Sequence, residues 1–274
     1  MTSEDFLRSM AASSHARVAQ ASERLTLREL RAMAADTPTP PRLALSRGFD
    51  LIAEVKLRSP AAGQLKADDN LTARVRDYAQ AGAAAISVLT EPSRFDGELS
   101  HLASSVQVLA GRIPAMRKDF LVDPYQIHEA RVAGAGGVLI ILRMLKSAEL
   151  RALIEAAAQQ QLFALLEAFD ELDLQWADEL VREYGRQTSL LVGINCRDLV
   201  TLKVVPGRLE QLAPLLPRTA PRVAESGVSS AVDADRLVRA GYDVALVGSA
   251  LMRSDAPAAL ARSMLEAGRA AAAC

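Results

Sequence analysis

A chain of 274 residues, half of them apolar, is long enough to bury a substantial core as one large α/β barrel or as two smaller domains. Its 32 Lys and Arg against 33 Asp and Glu leave a net charge of −1, which excludes a global basic field for nucleic acid or for an acidic membrane, so any anion is bound locally. Cys196 and Cys274 are the only cysteines; no disulfide framework is expected, and a reducing cytoplasm is the expected location.

The opening MTSEDFLRSM has early acids and no long apolar core, which argues against a secretory signal. The most apolar run, GGVLIILRML, is cut by Arg143 short of membrane-spanning length. Helical patterns over 3–21 and 26–35 come first, then TPTPPR, where Pro41 and its neighbours forbid helix. Residues 1–48 are therefore expected to form an N-terminal helical extension packed on a catalytic domain spanning 49–274. From there apolar, β-rich runs recur at 51–55, 84–89, 113–116, 137–142, 162–166, 190–194, 222–224 and 244–247. Amphipathic segments such as LTARVRDYAQAGA and AVDADRLVRAGYD lie between them, each with Ala-Gly where a helix C-cap belongs. Eight strands of continuous rather than alternating hydrophobicity predict an all-parallel α/β fold, the (β/α)8 or TIM barrel, with a doubly wound open sheet as the alternative.

In such a barrel the strand ends build the active site, so the polar residues just past each run belong together. They are Glu54 and Lys56, Lys118 and Asp119, Glu167, Asn195 and Arg197, then Glu225 and Ser226. Two lysines and three glutamates converging on one mouth call for a charged ligand among them. Gly227 and Gly248-Ser249 follow the seventh and eighth strands, where barrels present backbone N–H groups to a phosphate. His15, His101 and His128 fall in expected helices, so no zinc site and no cofactor is proposed, and acid–base work goes to Lys and Glu. Cys196 reads as a packing residue and Trp176 as a helix residue packed on the outer layer. Phe120 is equally suited to covering a ligand or to packing on its own loop.

At these residues the chain resembles the indole-3-glycerol phosphate synthase family, from about residue 48 to 255. LIAEVKLRSP is similar to that family's first-strand signature, MRKDFLVDPYQI to its third, FALLEAFD, GINCRDLVTLKV, VAESGV and LVGSALMR to its fifth to eighth, and AISVLTEPSRFDG to its second. The resemblance implies ring closure of 1-(2-carboxyphenylamino)-1-deoxyribulose 5-phosphate with loss of CO2 and water. It implies Lys118 as general acid, Glu167 as general base and Glu54 as the residue orienting Lys118. It also places Lys56, Ser59, Phe95, Asn195, Arg197, Glu225 and Ser226 around the substrate, with Gly227, Gly248 and Ser249 at its phosphate. The partner is then a phosphorylated small molecule, with no nucleic acid or membrane, and the protein is expected to be a monomer or a weak homo-oligomer. Departures from the family pattern stand at Ala61-Ala62, Glu98, Gly137, Phe169 and Cys196, and residues 1–48 match poorly. A paralogue serving a secondary pathway is one alternative. A sugar-phosphate isomerase such as phosphoribosylanthranilate isomerase is another, but it would place a Cys/Asp pair near strand ends one and five, where Glu54, Lys56 and Glu167 stand. A barrel that only binds its ligand would have lost Lys118 or Glu167, and both are present.

Overall fold

Eight parallel strands close on one another in chain order. In the computed structural model, which describes residues 3–59, 63–64, 71–201 and 203–273 (residues 3, 4, 59, 63 and 64 by their backbone only), they are β1 (Asp50–Val55), β2 (Ala85–Leu89), β3 (Ala115–Lys118), β4 (Gly137–Ile141), β5 (Phe163–Ala168), β6 (Leu190–Asn195), β7 (Arg222–Glu225) and β8 (Val244–Val247). Each pairs with its sequence neighbour, and β1 pairs with β8 through Asp50↔Val244 to Ala53↔Val247, which closes the barrel. Helices follow the strands: α3 (Leu71–Gln80), α4 (Leu99–Leu109), α5 (Pro124–Val132), α6 (Ser147–Gln159), α7 (Glu171–Tyr184), α8 (Arg208–Leu212), α9 (Ala231–Ala240) and α10 (Pro257–Ala272), preceded by α1 (Ser3–Arg24) and α2 (Leu27–Asp36).

The continuous hydrophobicity of the strands has a simple cause. Successive side chains point to opposite faces, and here both faces are covered. Ile52, Ala85, Met116, Leu139, Phe163, Leu165, Leu191, Val223, Val244 and Leu246 gather in one buried cluster that fills the barrel. The alternate residues, such as Leu51, Ala53, Ile86, Val138, Ala164, Val192 and Val247, pack under the helices in a second. Packing in the lumen is tight enough to explain one departure: a Cβ on Gly137 would lie 2.3 Å from Cζ of Phe163, so the ring occupies the space a side chain at 137 would need.

The sequence reading placed the end of β3 at Lys118, as found, but its start two residues early. The apolar run 113–116 predicted the strand, but it begins at Ala115 and carries Arg117 and Lys118 in register with Val88 and Leu89 of β2, because backbone pairing holds charged residues in a ladder when their heads find partners. A two-residue hairpin, Arg58–Ser59 with Gly63–Gln64, was not foreseen, and α8 is far shorter than its neighbours. Trp176 is 41% exposed, not packed on the outer layer, since it lies on the solvent side of α7.

The N-terminal helices are held by specific bonds. α2 starts at a capping box in which Thr26 accepts from Glu29 N and Glu29 accepts from Thr26 N. It and the extended connector dock on α5, where Tyr125 Oη donates to the Leu25 carbonyl at 2.8 Å and Arg131 donates to the Thr37 and Pro38 carbonyls at 2.7 Å each. α1 reaches the barrel mouth, where its Phe6, Leu7 and Met10 join the luminal cluster beside Phe120 and Phe169. Among the described residues no helix is long and apolar enough to cross a membrane.

Candidate active site

The period of two that fills the lumen also delivers the polar groups. Counting on from the inward residues Ile52, Met116, Leu165, Gly193, Val223 and Leu246, the next inward positions are Glu54, Lys118, Glu167, Asn195, Glu225 and Gly248. They ring the C-terminal end of the barrel, the end where barrel enzymes do chemistry. All six line one cavity of 440 Å3, together with Lys56, Phe95, Phe120, Arg197, Ser226, Gly227 and Ser249. The side chain of Ser59, and residues Ala61 and Ala62, lie outside what the structure describes.

Charge is concentrated on the cavity floor. Lys56 Nζ donates to Glu54 Oε1 at 2.5 Å. Lys118 Nζ lies 3.4 Å from Glu167 Oε2 and 3.8 Å from Glu225 Oε2. Burial alone would lower the Lys118 pKa, but Glu167, Glu225 and Glu54 together outweigh it and hold the ammonium above the ordinary lysine range. Glu54, also buried, is held below the usual carboxylate range because Lys56 and Lys118 overcome its desolvation. Glu225 goes the other way. Burial, then the neighbouring Glu167, push its carboxyl well up, and neither of its oxygens has a hydrogen-bond partner among the described residues. Its space is made by Gly193, where a Cβ would sit 2.2 Å from Glu225 Oε1.

The opposite wall is built for orientation. Asn195 Oδ1 accepts from Arg197 N at 3.0 Å and from Ser226 Oγ at 2.9 Å, which sets its amide and leaves the NH2 as the donating end. Ser226 has φ of 67°, an uncommon left-handed conformation for a residue with a side chain, and Gly227 follows at 75°. Gly248 has a reason for its size besides any ligand: a Cβ there would lie 2.2 Å from Glu54 Oε1 and 3.0 Å from Lys56 Nζ.

Apolar residues roof the cavity. Phe120 packs edge-on to Phe6 with centroids 6.0 Å apart and lies 6.3 Å from Phe95, so it both packs on its surroundings and faces the cavity. Phe6 and Leu7 line the cavity from α1 and were missed, as were Leu199 and Val204 of the loop after β6, because nothing in local pattern tells which distant helix crosses the mouth. Asp119, grouped with the strand-end charges, has its carboxylate engaged by Arg17, Arg117 and Thr90. Phe169 lines the cavity beneath Arg143, whose guanidinium carbon stands 4.8 Å from the ring centroid and which pairs with Asp170 and Asp173. Cys196 is buried and free. Glu98 stands at the N-cap of α4, where its backbone N donates to His101 Nδ1 at 3.1 Å and its carboxylate accepts from Ser100 Oγ at 2.8 Å. His15 and His128 lie on α1 and α5. Among the described residues no group of three or more His, Cys, Asp or Glu could hold a metal ion.

The family model for indole-3-glycerol phosphate synthase matches residues 7–264, so the likeness reaches well into the N-terminal helices, further than the motifs alone indicated. The chain is 41% identical over 243 residues to the indole-3-glycerol phosphate synthase of a Nocardioides species, covering 87% of this chain and 90% of that protein, and 38% identical over 244 residues to that of Opitutus terrae, covering 86% and 89%. Among solved structures, 3-hexulose-6-phosphate synthase from Salmonella typhimurium superposes with a TM-score of 0.62 at 16% identity over 80% of this chain and 98% of its own, a likeness of fold alone. A strand-end ring of lysines and glutamates, the motifs that carry it and a match over nearly the whole chain agree: the chain belongs to the indole-3-glycerol phosphate synthase family, carboxy-lyases of tryptophan biosynthesis.

Proposed function

We propose that this chain performs the family's ring closure with Lys118 as general acid and Glu167 as general base, converting 1-(2-carboxyphenylamino)-1-deoxyribulose 5-phosphate to indole-3-glycerol phosphate, CO2 and water. The observation that carries this reading is the position of Lys118, a half-buried ammonium beside Glu167 and Glu225 on the floor of a cavity with an aromatic roof. Ring closure joins the carboxylate-bearing carbon of the anilino ring to the ketone carbon. The ketone oxygen becomes an alkoxide more basic than an amine, and the ammonium of Lys118 can hand it a proton as it forms. Breaking the bond to CO2 restores the aromatic ring. Lys118, recharged from solvent, then protonates the new hydroxyl so that it leaves as water, while the proton that comes off the adjacent carbon goes to Glu167, which returns it to solvent.

The other residues take positioning roles in this reading. Glu54 holds Lys56 and shares the field on Lys118. Lys56 and Arg197 face the substrate carboxylate, Asn195 and Glu225 its hydroxyls, and Phe95 and Phe120 its ring. Ser226, Gly227, Gly248 and Ser249 receive the phosphate, supported by the left-handed turn at Ser226-Gly227. The test mixes EDTA-treated protein with the substrate and follows indole absorbance and CO2 together. Equal amounts of both support the reading; binding of the substrate without indole product would overturn it.

A further inference from the structure

Asp119 lies one residue past Lys118, and its carboxylate is gripped from α1. Arg17 donates to it with both terminal nitrogens, Nη1 to Oδ2 at 2.9 Å and Nη2 to Oδ1 at 2.8 Å. Arg117 Nη2 and Thr90 Oγ1 donate to Oδ2 at 3.1 and 2.8 Å, and Phe120 N to Oδ1 at 2.8 Å. Ser14, one turn before Arg17, donates to the Phe120 carbonyl at 2.5 Å and accepts from Gln126 Nε2 at 2.8 Å. One helix from outside the barrel thus holds both residues that follow Lys118 in the chain.

We propose that Arg17, acting through Asp119, is a positioning residue for the reaction: it sets where Lys118 and Phe120 stand in the mouth. The inference rests on the assignment of Lys118 as general acid. β3 ends at Lys118, so past it no strand pairing restrains the backbone, and the side-chain bonds do that instead. A bidentate guanidinium–carboxylate pair restrains angle as well as distance, which a lysine cannot reproduce. A shift of about 1 Å in a reacting group can cost on the order of 10²-fold in rate, so loosening this grip acts on turnover more than on affinity. A second cavity, of 260 Å3, lined by Arg17, Thr90, Arg117 and Glu129, flanks the pair and gives a small cation a route to it.

The experiment compares kcat and KM of Arg17→Met, Arg17→Lys and Arg17→Ala at equal folded fraction, judged by near-ultraviolet circular dichroism. Arg17→Met should lower kcat about tenfold with KM within about threefold, and Arg17→Lys should recover only part of the loss. Millimolar methylguanidinium should raise kcat of Arg17→Ala while leaving Lys118→Ala unchanged. A kcat for Arg17→Met within about twofold of the wild type, or a loss matched by the folded fraction with no rescue, overturns the inference. Should Arg17→Met not fold, Ser14→Ala must lower kcat at unchanged KM, and an unchanged kcat is equally fatal. Near-normal turnover in Lys118→Ala would instead remove the acid assignment, whatever the Arg17 variants do.

Discussion

Asp119, just past β3, and Glu225, at the end of β7, are both carboxylates at a barrel-strand end, and both are almost fully buried, at 2% and 1% exposure. Asp119 accepts five hydrogen bonds, two of them from Arg17, and these with Arg117 overcome the cost of burial and hold its carboxyl at about 2. Glu225 has no hydrogen-bond partner among the described residues and is pushed well up, by burial first and then by Glu167. Equal burial therefore gives opposite chemistry. A carboxylate whose lone pairs are filled by the protein is a fastener, whereas one left unfilled beside a lysine is free to meet a substrate.

The sharpest way to break this contrast is at the lysine both regions serve. Lys118→Met should cut kcat by about 10² or more with a much smaller change in KM, since general acid catalysis contributes about 10²–10⁴. Steady-state kinetics decide it, and a near-normal kcat would take the chemistry away from this end of the mouth.

Removing the fastener should show in stability. Asp119→Asn leaves Arg17 and Arg117 facing a neutral amide, and the depressed carboxyl alone accounts for roughly 2 kcal/mol at neutral pH. The sign follows from the folded carboxyl lying below its unfolded value. The stabilisation is fully present above about pH 4 and disappears as pH falls toward 2. Urea midpoints should thus separate wild type and Asp119→Asn at pH 7 and converge in acid; a gap independent of pH would mean that Asp119 does not carry its charge into the fold.

The unfilled side can be tested through the glycine beside Glu225 as well as at Glu225 itself. Gly193→Ala would place a Cβ against the Glu225 carboxyl and should lower kcat/KM about tenfold, as should Glu225→Gln, with the double variant no worse than either single one. Additive losses would place Glu225 elsewhere during the reaction. The smallest effect is expected at the cavity wall. Arg143→Ala removes the cation over the Phe169 ring, worth about 0.5–1 kcal/mol, and should raise KM two- to threefold with kcat unchanged.

By itself the sequence determined the alternation of strands and helices and an all-parallel α/β fold, because continuous apolar runs suit strands covered on both faces. The choice of a closed barrel over a doubly wound sheet was made by the pairing of β1 with β8. The sequence also determined which strand-end residues share the mouth: once Ile52 or Leu165 points inward, the pleat forces Glu54 and Glu167 inward as well. What tertiary structure alone decided was how those charges differ. Asp119 and Glu225 read alike in the chain, as an acid at the end of an apolar run. Asp119 is bonded by Arg17, 102 residues away, whereas Glu225 has no hydrogen-bond partner among the described residues. The roof of Phe6 and Leu7, the ring of Phe163 over Gly137 and the Glu54 carboxylate against Gly248 belong to the same class. Each depends on which distant surfaces meet, and local periodicity carries no record of that distance.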